Sequence, residues 1–186
     1  DFRSRRPVAF WRGSTSDYTA EAGRKATAPG GDAVGRDLQD WSRLRLALLS
    51  RLYPDRLDAR FTSIHDVVPQ GLAAWIMEGG LCCAEHARPL DLGRYRYLVN
   101  ADATLGVADR LHWYFFTGSI VLQQESNFTL WLLGTVFVPG VHFLPVDRQW
   151  QNLLARVDTA EGNLDEASAM AKRARALAQE AMNQEA

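Results

Sequence analysis

The stretch "PVAFWRGSTSD", residues 7–17, joins a short apolar run to an arginine, a glycine and a cluster of hydroxyl side chains. The run from Pro7 to Trp11 predicts a β-strand, because aromatic and β-branched residues suit the half-buried surface of a sheet. The polar residues that follow place a fixed cation and a flexible residue at the end of that strand. In open α/β sheets, ligand-binding side chains occur at this position.

The rest of the sequence alternates strand-like runs with amphipathic helices, which predicts an α/β fold with a sheet covered on both faces. A helix is expected in "DWSRLRLALLSRLYPD", residues 40–55, because its leucines recur at helical spacing until Pro54 ends the run. Further strands are expected in residues 57–64, 93–102 and 119–126, and further helices in residues 70–78, 106–118 and 161–183. Asn163 and Glu166 fit a capping box at the start of the last helix. Residues 17–37 have no clear period and predict a mobile surface loop.

Composition limits the class of protein. The chain has 186 residues, 47% of them hydrophobic, so residues 1–186 are expected to form one domain, either alone or as half of a larger enzyme. The 21 basic and 22 acidic residues give a net charge of -1, which argues against a nucleic-acid-binding surface. The N-terminus lacks the apolar core of a signal peptide, so the chain is interpreted as an excised piece.

Two features suggest functions that we do not favour. Cys82 and Cys83 are adjacent, a spacing that suits neither an ordinary structural disulfide nor a zinc site. Residues 126–146 are uncharged over about the length of a membrane span. Pro139 and Pro145 interrupt any single helix there, so we expect a short buried helix, a turn and a strand. No transmembrane segment is predicted.

Arginines follow two of the predicted strands. Arg12 is succeeded by Gly13, Ser14 and Thr15, so the backbone can approach an anion while the guanidinium and the hydroxyls donate to it. Arg110 falls near the first turn of the helix after the 93–102 strand, where its charge adds to the helix dipole. Each arginine taken singly fits a surface residue or a structural ion pair, whereas the pair suggests a diphosphate site.

Five motifs occur in a characteristic order and approximate spacing. They are "FWRGSTSD", "RLDARFT", "RYRYLVNAD", "ADRLHWYFFTGSIVLQQES" and "VPGVHFLPV". This order resembles glycosyltransferase family 90, the group of capsule-associated xylosyltransferases and Rumi-type protein O-glucosyltransferases. The resemblance runs from about residue 8 to residue 180. It implies an inverting, metal-independent transferase of the GT-B type, with two Rossmann-like domains and a UDP-glucose or UDP-xylose donor.

The resemblance also implies roles for particular residues. This chain is similar to the C-terminal, donor-binding half, a Rossmann-like parallel sheet flanked by helices. Arg12, Gly13 and Ser14 match a loop near the donor diphosphate, and Arg110 matches an arginine that reaches the phosphates. The other implied donor-site residues are Thr15, Asp102, Ser119, Glu125 and Ser126. Glu125 has two alternative roles: its carboxylate accepts hydrogen bonds from the ribose hydroxyls, or it lies at a helix start where the dipole favours it. His142 and Pro145 are similar to a strand leading to the pocket, and we favour a structural histidine over a catalytic one.

Departures from the family pattern leave alternatives open. Asp102 is followed by Ala103 where the family has glycine, and about one extra residue precedes Arg110. The family's general base is an aspartate in the N-terminal acceptor domain, upstream of the first motif, and no residue here matches it. The chain is therefore either the donor-binding part of an enzyme or a non-catalytic sugar-nucleotide or glycan-binding remnant; a membrane protein is the third reading. The acceptor is a protein or polysaccharide hydroxyl, and the compartment is an endomembrane lumen (ER or Golgi) if the source is eukaryotic.

Overall fold

The computed structural model describes residues 1–18, 41–102, 108–126 and 135–183, which contain a five-stranded parallel sheet. The strand order is β2-β1-β3-β4-β5. The strands are β1 (Arg6–Ser14), β2 (Leu57–Ser63), β3 (Tyr95–Asn100), β4 (Ile120–Gln124) and β5 (Leu144–Val146). The α/β class and the Rossmann-like parallel sheet are confirmed. β1 is longer than predicted, because Arg12, Gly13 and Ser14 continue to pair with β2 beyond the apolar run.

Helices connect the strands and close the chain. They are α1 (Ser42–Leu52), α2 (Gln70–Glu78), α3 (Pro89–Leu92), α4 (Ala108–Phe116), α5 (Leu153–Gly162) and α6 (Leu164–Asn183). The last helix was predicted over residues 161–183, but residues 161 and 162 belong to α5. Asn163 separates the two helices, and its Oδ1 accepts a 3.2 Å hydrogen bond from the Glu166 N–H, which starts α6 at the expected cap.

The two faces of the sheet bury different side chains, because successive residues of a strand point to opposite faces. On the first face, called here the α1 face, Ala9 and Trp11 pack with α1 and α5. On the second, the α4 face, Phe10 packs with α4 and with Ala174 and Ala178 of α6. The core is therefore formed on both sides of β1.

The carboxyl ends of β1 and β3 form a topological switch point, which is called the crevice below. These strands are neighbours, yet α1, which follows β1, buries Leu44 and Leu46 on the α1 face. The helix after β3, α4, buries Leu111 and Phe115 on the α4 face. The chain therefore leaves the two strands in opposite directions, and this change of direction is where open parallel sheets bind ligands.

Several expectations concern segments that the structure describes only in part. The predicted mobile loop at 17–37 lies outside the described residues from 19 onward. Residues 127–134, part of the 126–146 segment in which a short buried helix, a turn and a strand are expected, also lie outside them. Further along the apolar segment, a bridge between Pro139 and Phe143 precedes β5. Among the described residues, no helix combines the length and apolarity that a membrane span requires. Cys82 and Cys83 are both free thiols.

Candidate functional site

Arg12 supplies a fixed cation at the carboxyl end of β1. Its Nη2 forms a 2.8 Å ion pair with Oδ1 of Asp58 on β2. Its Nη1 donates to the main-chain carbonyls of Trp11, at 2.8 Å, and Asp58, at 2.9 Å. The Cζ atom lies 4.4 Å from the centroid of the Phe10 ring. The structural ion pair that the sequence left open is therefore present, and it holds the guanidinium on the α4 face.

Gly13 is required by packing within β1. A Cβ atom built at this position would lie 2.5 Å from Cζ2 of Trp11. That indole is completely buried, so it has no free space to move into. The sequence suggested that this glycine lets an anion approach the backbone. The structure adds a separate reason, which is that only glycine fits beside Trp11.

Ser14 and Thr15 tie the end of β1 to the end of β2. Thr15 is completely buried, its N–H donates to the Ser63 carbonyl at 3.3 Å, and its Oγ1 accepts a 2.8 Å hydrogen bond from the His65 N–H. The Ser14 hydroxyl lies 3.2 Å from Nε2 of the same histidine. Thr15 thus has a structural role in the turn, whereas Ser14 is part-exposed at the end of β1.

Arg110 reaches back from the first turn of α4 to β1. Its Nη1 donates a 2.9 Å hydrogen bond to the main-chain carbonyl of Arg12. It also bonds the phenol of Tyr114, one turn further along the helix. Burial raises the pKa of Tyr114, while the charge of Arg110 and its hydrogen bond act in the opposite direction. The structure thus brings Arg12 and Arg110 together, and their binding of a diphosphate stays a prediction.

A cavity of about 210 Å³ opens beside the two arginines on the α4 face. It has an aromatic and apolar lining with a few polar groups, and its volume is below the range of about 300–1,000 Å³ that is usual for small-molecule sites. Trp113 stands at its rim with 51% of its surface exposed. The side chains that give the cavity its character are Phe10, Arg12, His86, Arg110, Trp113 and Tyr114.

A buried arginine that the sequence analysis did not select, Arg43 of α1, lies beneath the crevice. Its side chain is 1% exposed. Its Nε donates to the Asp102 carbonyl at 2.7 Å, and its Nη1 donates to the Ser14 carbonyl and to the Ser16 hydroxyl, both at 2.9 Å. Burial lowers the pKa of Arg43, and the charge of Asp17 opposes that shift.

The start of α1 is joined to the other loops at the same edge of the sheet. Asp17, from the loop after β1, accepts hydrogen bonds from the Trp41 indole N–H at 2.8 Å and from the Arg43 main-chain N–H at 3.1 Å. This carboxylate therefore caps α1. The Ser42 carbonyl accepts a 2.8 Å bond from Nε1 of Trp150, in the loop after β5. Trp150 has a φ of 64°, in the region that favours glycine.

Asp102 and Ser126, two of the residues named from the family resemblance, lie close together. The Asp102 carboxyl accepts a hydrogen bond from Ser126, and burial raises its pKa against the opposing effects of this bond and of nearby arginines. The Asp102 N–H donates to Oε1 of Gln124, a buried residue at the end of β4. Glu125 follows with an exposed side chain, and its N–H donates to the Val146 carbonyl at 2.8 Å. These residues border the same carboxyl edge as the crevice.

Ser119 does not lie at this edge, so its place in the predicted donor site is not supported by the structure. It precedes β4 and is therefore at the amino ends of the strands, about 16 Å from the crevice edge by the length of a five-residue strand. It is completely buried. Its hydroxyl donates to the Tyr95 carbonyl at 2.7 Å and accepts from Nη1 of Arg5 at 2.9 Å.

His142 and Pro145 both make contacts that stabilise the fold near β5. His142 precedes β5, its Nδ1 accepts a 3.0 Å hydrogen bond from the Val138 N–H, and its ring packs edge-on against Phe137. Burial and the charge of Arg173 lower its pKa. These contacts agree with the structural reading of the histidine. Pro145 pairs with Gln123 within the sheet.

The helical periodicity of the sequence contains one signal that Arg43 has a specific role. Residues three and four positions apart share a helix face, and Arg43 shares a face with the buried Leu46 and Ala47. A charged residue on an apolar face is a candidate for a specific buried role. For Asp58 and His65 there was no comparable signal, because their importance arises from pairing between strands and loops.

The fold and the crevice define the class of protein. The chain has the fold of the C-terminal domain of a GT-B glycosyltransferase, as shown by its similarity to the C-terminal domain of a glycosyl transferase group 1 family protein (LpcC) from Francisella tularensis. That similarity has a TM-score of 0.54 at 12% identity, over 92% of this chain and 83% of the other. The chain is also similar to the pneumococcal O-GlcNAc transferase GtfA, solved in complex with UDP and GlcNAc. This similarity has a TM-score of 0.50 at 12% identity, over 95% of this chain and 33% of the GtfA chain.

The chain belongs to glycosyltransferase family 90. The family model described as "Glycosyl transferase family 90" matches residues 32–186. Protein O-glucosyltransferase 3 of Mus musculus is 33% identical over 138 residues, which are 74% of this chain and 25% of that protein. Protein O-glucosyltransferase 3 of Homo sapiens is 30% identical over 146 residues, which are 78% of this chain and 27% of that protein. The chain thus spans about a quarter of the length of these relatives.

Proposed function

We propose that this chain supplies the nucleotide-sugar site of an inverting, metal-independent glycosyltransferase. In the proposed reaction, glucose or xylose passes from a UDP-sugar to a hydroxyl of a protein or a glycan. The observation that carries the proposal is the meeting of Arg12 and Arg110 at the crevice between β1 and β3. GtfA, which has a similar fold, was solved with UDP, and this supports UDP as the nucleotide.

The arginines have a defined chemical task in this proposal. When the bond between the sugar and the diphosphate breaks, negative charge builds up on the leaving UDP. A preorganised pair of guanidinium groups stabilises this charge more in the transition state than in the ground state. The diphosphate replaces Asp58 as the partner of Nη2 of Arg12, while Arg110 donates from the first turn of α4. The proposal thus assigns charge neutralisation to side chains and not to a metal ion.

The acceptor and the general base belong to a different part of the enzyme in this proposal. An inverting transfer needs a base that takes the proton of the acceptor hydroxyl as it attacks the anomeric carbon. We assign none of the described residues to this role. The relatives are about four times as long as the matched region, which leaves room for an acceptor domain. By family resemblance we also propose an endomembrane lumen as the compartment.

Calorimetric titration of the 186-residue chain with UDP tests the proposal, with and without EDTA. We expect binding that Arg110→Ala and Arg12→Ala each weaken by about tenfold, the loss of one charge-assisted contact. The matched control is Arg94→Ala, because Arg94 is an exposed arginine that pairs with Asp91 before β3. A folded wild-type chain that does not bind UDP would contradict the proposal and favour a glycan-binding remnant, or a site that only an upstream domain completes.

A further inference from the structure

We propose that Arg43 is a positioning residue for the nucleotide-sugar site, which it shapes without touching the ligand. The inference rests on the proposed function, and it concerns a residue that the motifs did not select. Arg43 joins the end of β1 and the loop that follows it to the loop after β3, through hydrogen bonds to the Ser14 carbonyl, the Ser16 hydroxyl and the Asp102 carbonyl. These are the two loops that diverge at the crevice.

The contacts of Arg43 run mainly to main-chain atoms. On the β1 side, Nη1 bonds the Ser14 carbonyl, one residue from the predicted phosphate-binding glycine. On the β3 side, Nε bonds the Asp102 carbonyl and Nη2 lies 3.4 Å from the Ala101 carbonyl. Carbonyl contacts fix the course of the backbone directly. The distance between the two loops therefore depends on the shape of one guanidinium group.

The burial of Arg43 argues against a role in stability alone. A charged side chain that is 1% exposed loses nearly all of its hydration, and an apolar residue of similar size often stabilises such a site as well or better. The same helix face carries Leu46 and Ala47, which show that apolar side chains are accommodated there. The charged groups that act on Arg43 are Asp17, Asp102 and Arg110, with the phenol of Tyr114.

The geometry of the guanidinium is essential to the argument. Its nitrogens lie in one plane and point outward in fixed directions, so one side chain can bond two separate loops at the same time. The ammonium group of a lysine is a single point and cannot span both carbonyl positions. Arg43 thus holds the end of β1, which carries Arg12, Gly13 and Ser14, at a set distance from Ala101 and Asp102 after β3.

The test compares UDP with UMP on the 186-residue chain, using Arg43→Lys and Arg43→Met. A disturbed spacing of the phosphate-binding loops weakens the binding of UDP more than that of UMP, because the second phosphate relies most on both loops. We expect UDP affinity to fall by about tenfold in both variants, since displacement of binding groups by an ångström has effects of this order or larger. Arg51→Ala is the matched control, because Arg51 lies in the last turn of α1 and donates to the Gly79 carbonyl, away from the crevice.

The outcomes separate the inference from the proposed function. A folded Arg43→Lys variant with wild-type UDP affinity would show that UDP binding needs only a positive charge at this position and not a guanidinium that bonds both loops. This result would overturn the inference. Equal weakening of UDP and UMP would reduce Arg43 to a structural residue. If neither variant folds, amide hydrogen exchange of the wild-type chain provides the test. UDP should slow exchange in residues 14–17 and in the first turn of α1 together. Slower exchange in residues 14–17 alone would overturn the inference. Failure of the wild-type chain to bind UDP counts against the proposed function itself.

Discussion

The main-chain carbonyl of Arg12 accepts a 2.9 Å hydrogen bond from Nη1 of Arg110, so the backbone of β1 positions the second arginine directly. One residue thus contributes to the crevice in two ways, through its side chain and through its carbonyl. The side chain of Arg12 is meanwhile engaged by Asp58 at 2.8 Å. Binding of an anion therefore involves competition with a carboxylate.

Asp58→Asn should raise the affinity for UDP. Asparagine keeps the size of the side chain but removes the charge that competes for Arg12, so we expect a gain of about two- to fivefold by calorimetry. Only 11% of the Arg12 side chain and 19% of the Asp58 side chain are exposed, so loss of the ion pair should lower the free energy of unfolding by about 1–3 kcal/mol. Asp91→Asn is the control, since Asp91 pairs with exposed arginines elsewhere. A fall in UDP affinity would mean that Asp58 supports the binding geometry of Arg12.

Gly13→Ala should destabilise the chain. The new methyl group would meet the ring of Trp11 at 2.5 Å, and we expect the free energy of unfolding to fall by about 1–3 kcal/mol, as for other overpacked cores. Urea denaturation followed by tryptophan fluorescence measures this change. Gly71→Ala is a suitable control, because a Cβ there meets no atom within 4 Å. Equal stability of the two variants would show that the Trp11 indole moves freely.

Ser119→Ala separates the structural reading from the role that family resemblance implied. The substitution removes a donor to the Tyr95 carbonyl and an acceptor for Arg5, both within the buried region. We expect the free energy of unfolding to fall by about 1–3 kcal/mol, the cost of leaving buried polar groups without partners. The affinity for UDP should be unchanged in calorimetry. A loss of UDP affinity without a loss of stability would restore Ser119 to the donor site.

Asp147 should make stability depend on acid pH. Burial opposes ionisation of its carboxyl, but the N–H groups of Asn152, Gln151 and Gln149 bond the carboxylate, and the pKa is lowered. An acid with a lowered folded-state pKa contributes stability that is present above its unfolded pKa, about 3.9, and lost as the pH falls through the folded value.

Urea denaturation of the wild type and of Asp147→Asn across the acidic range tests this expectation. The stability advantage of the wild type should be full near neutral pH and should shrink as the pH falls below about 4. Asparagine keeps the shape of the side chain and cannot ionise, so the comparison isolates the charge. A constant difference between the two proteins at all pH values would contradict the expectation.

The fold was readable from the sequence because its signals are local. The apolar runs that became β1, β3 and β4 and the helical leucines of α1 each lie within one element. Helix α5 was missed, and only its last two residues fell within the helix predicted at 161–183, whereas the cap at Asn163 was predicted. The strand-end rule selected Arg12 and Arg110, and the structure brings these two residues together.

The remainder of the site depends on distant pairing. Asp58 meets Arg12 because β2 lies next to β1, and Trp150 meets Ser42 across more than one hundred residues of sequence. These relationships follow from topology, which composition and periodicity do not specify. Ser119 is different, because it is the first residue of the strand predicted at residues 119–126, and the strand-end rule alone places it at the amino end of β4, away from the donor site.

The capping of α1 by Asp17 affects how well the chain tolerates insertions between residues 18 and 41. The carboxylate bonds Trp41 and Arg43, and the Tyr18 ring lies 4.9 Å from that of Trp41, so residues 17–18 and 41–43 are fastened together. The connection between them has its two ends fixed side by side. Closing a longer connection costs only about 0.6 kcal/mol for each doubling of its length. Evolution, or an engineer inserting a reporter peptide, can therefore lengthen this connection without moving the arginines that face the crevice.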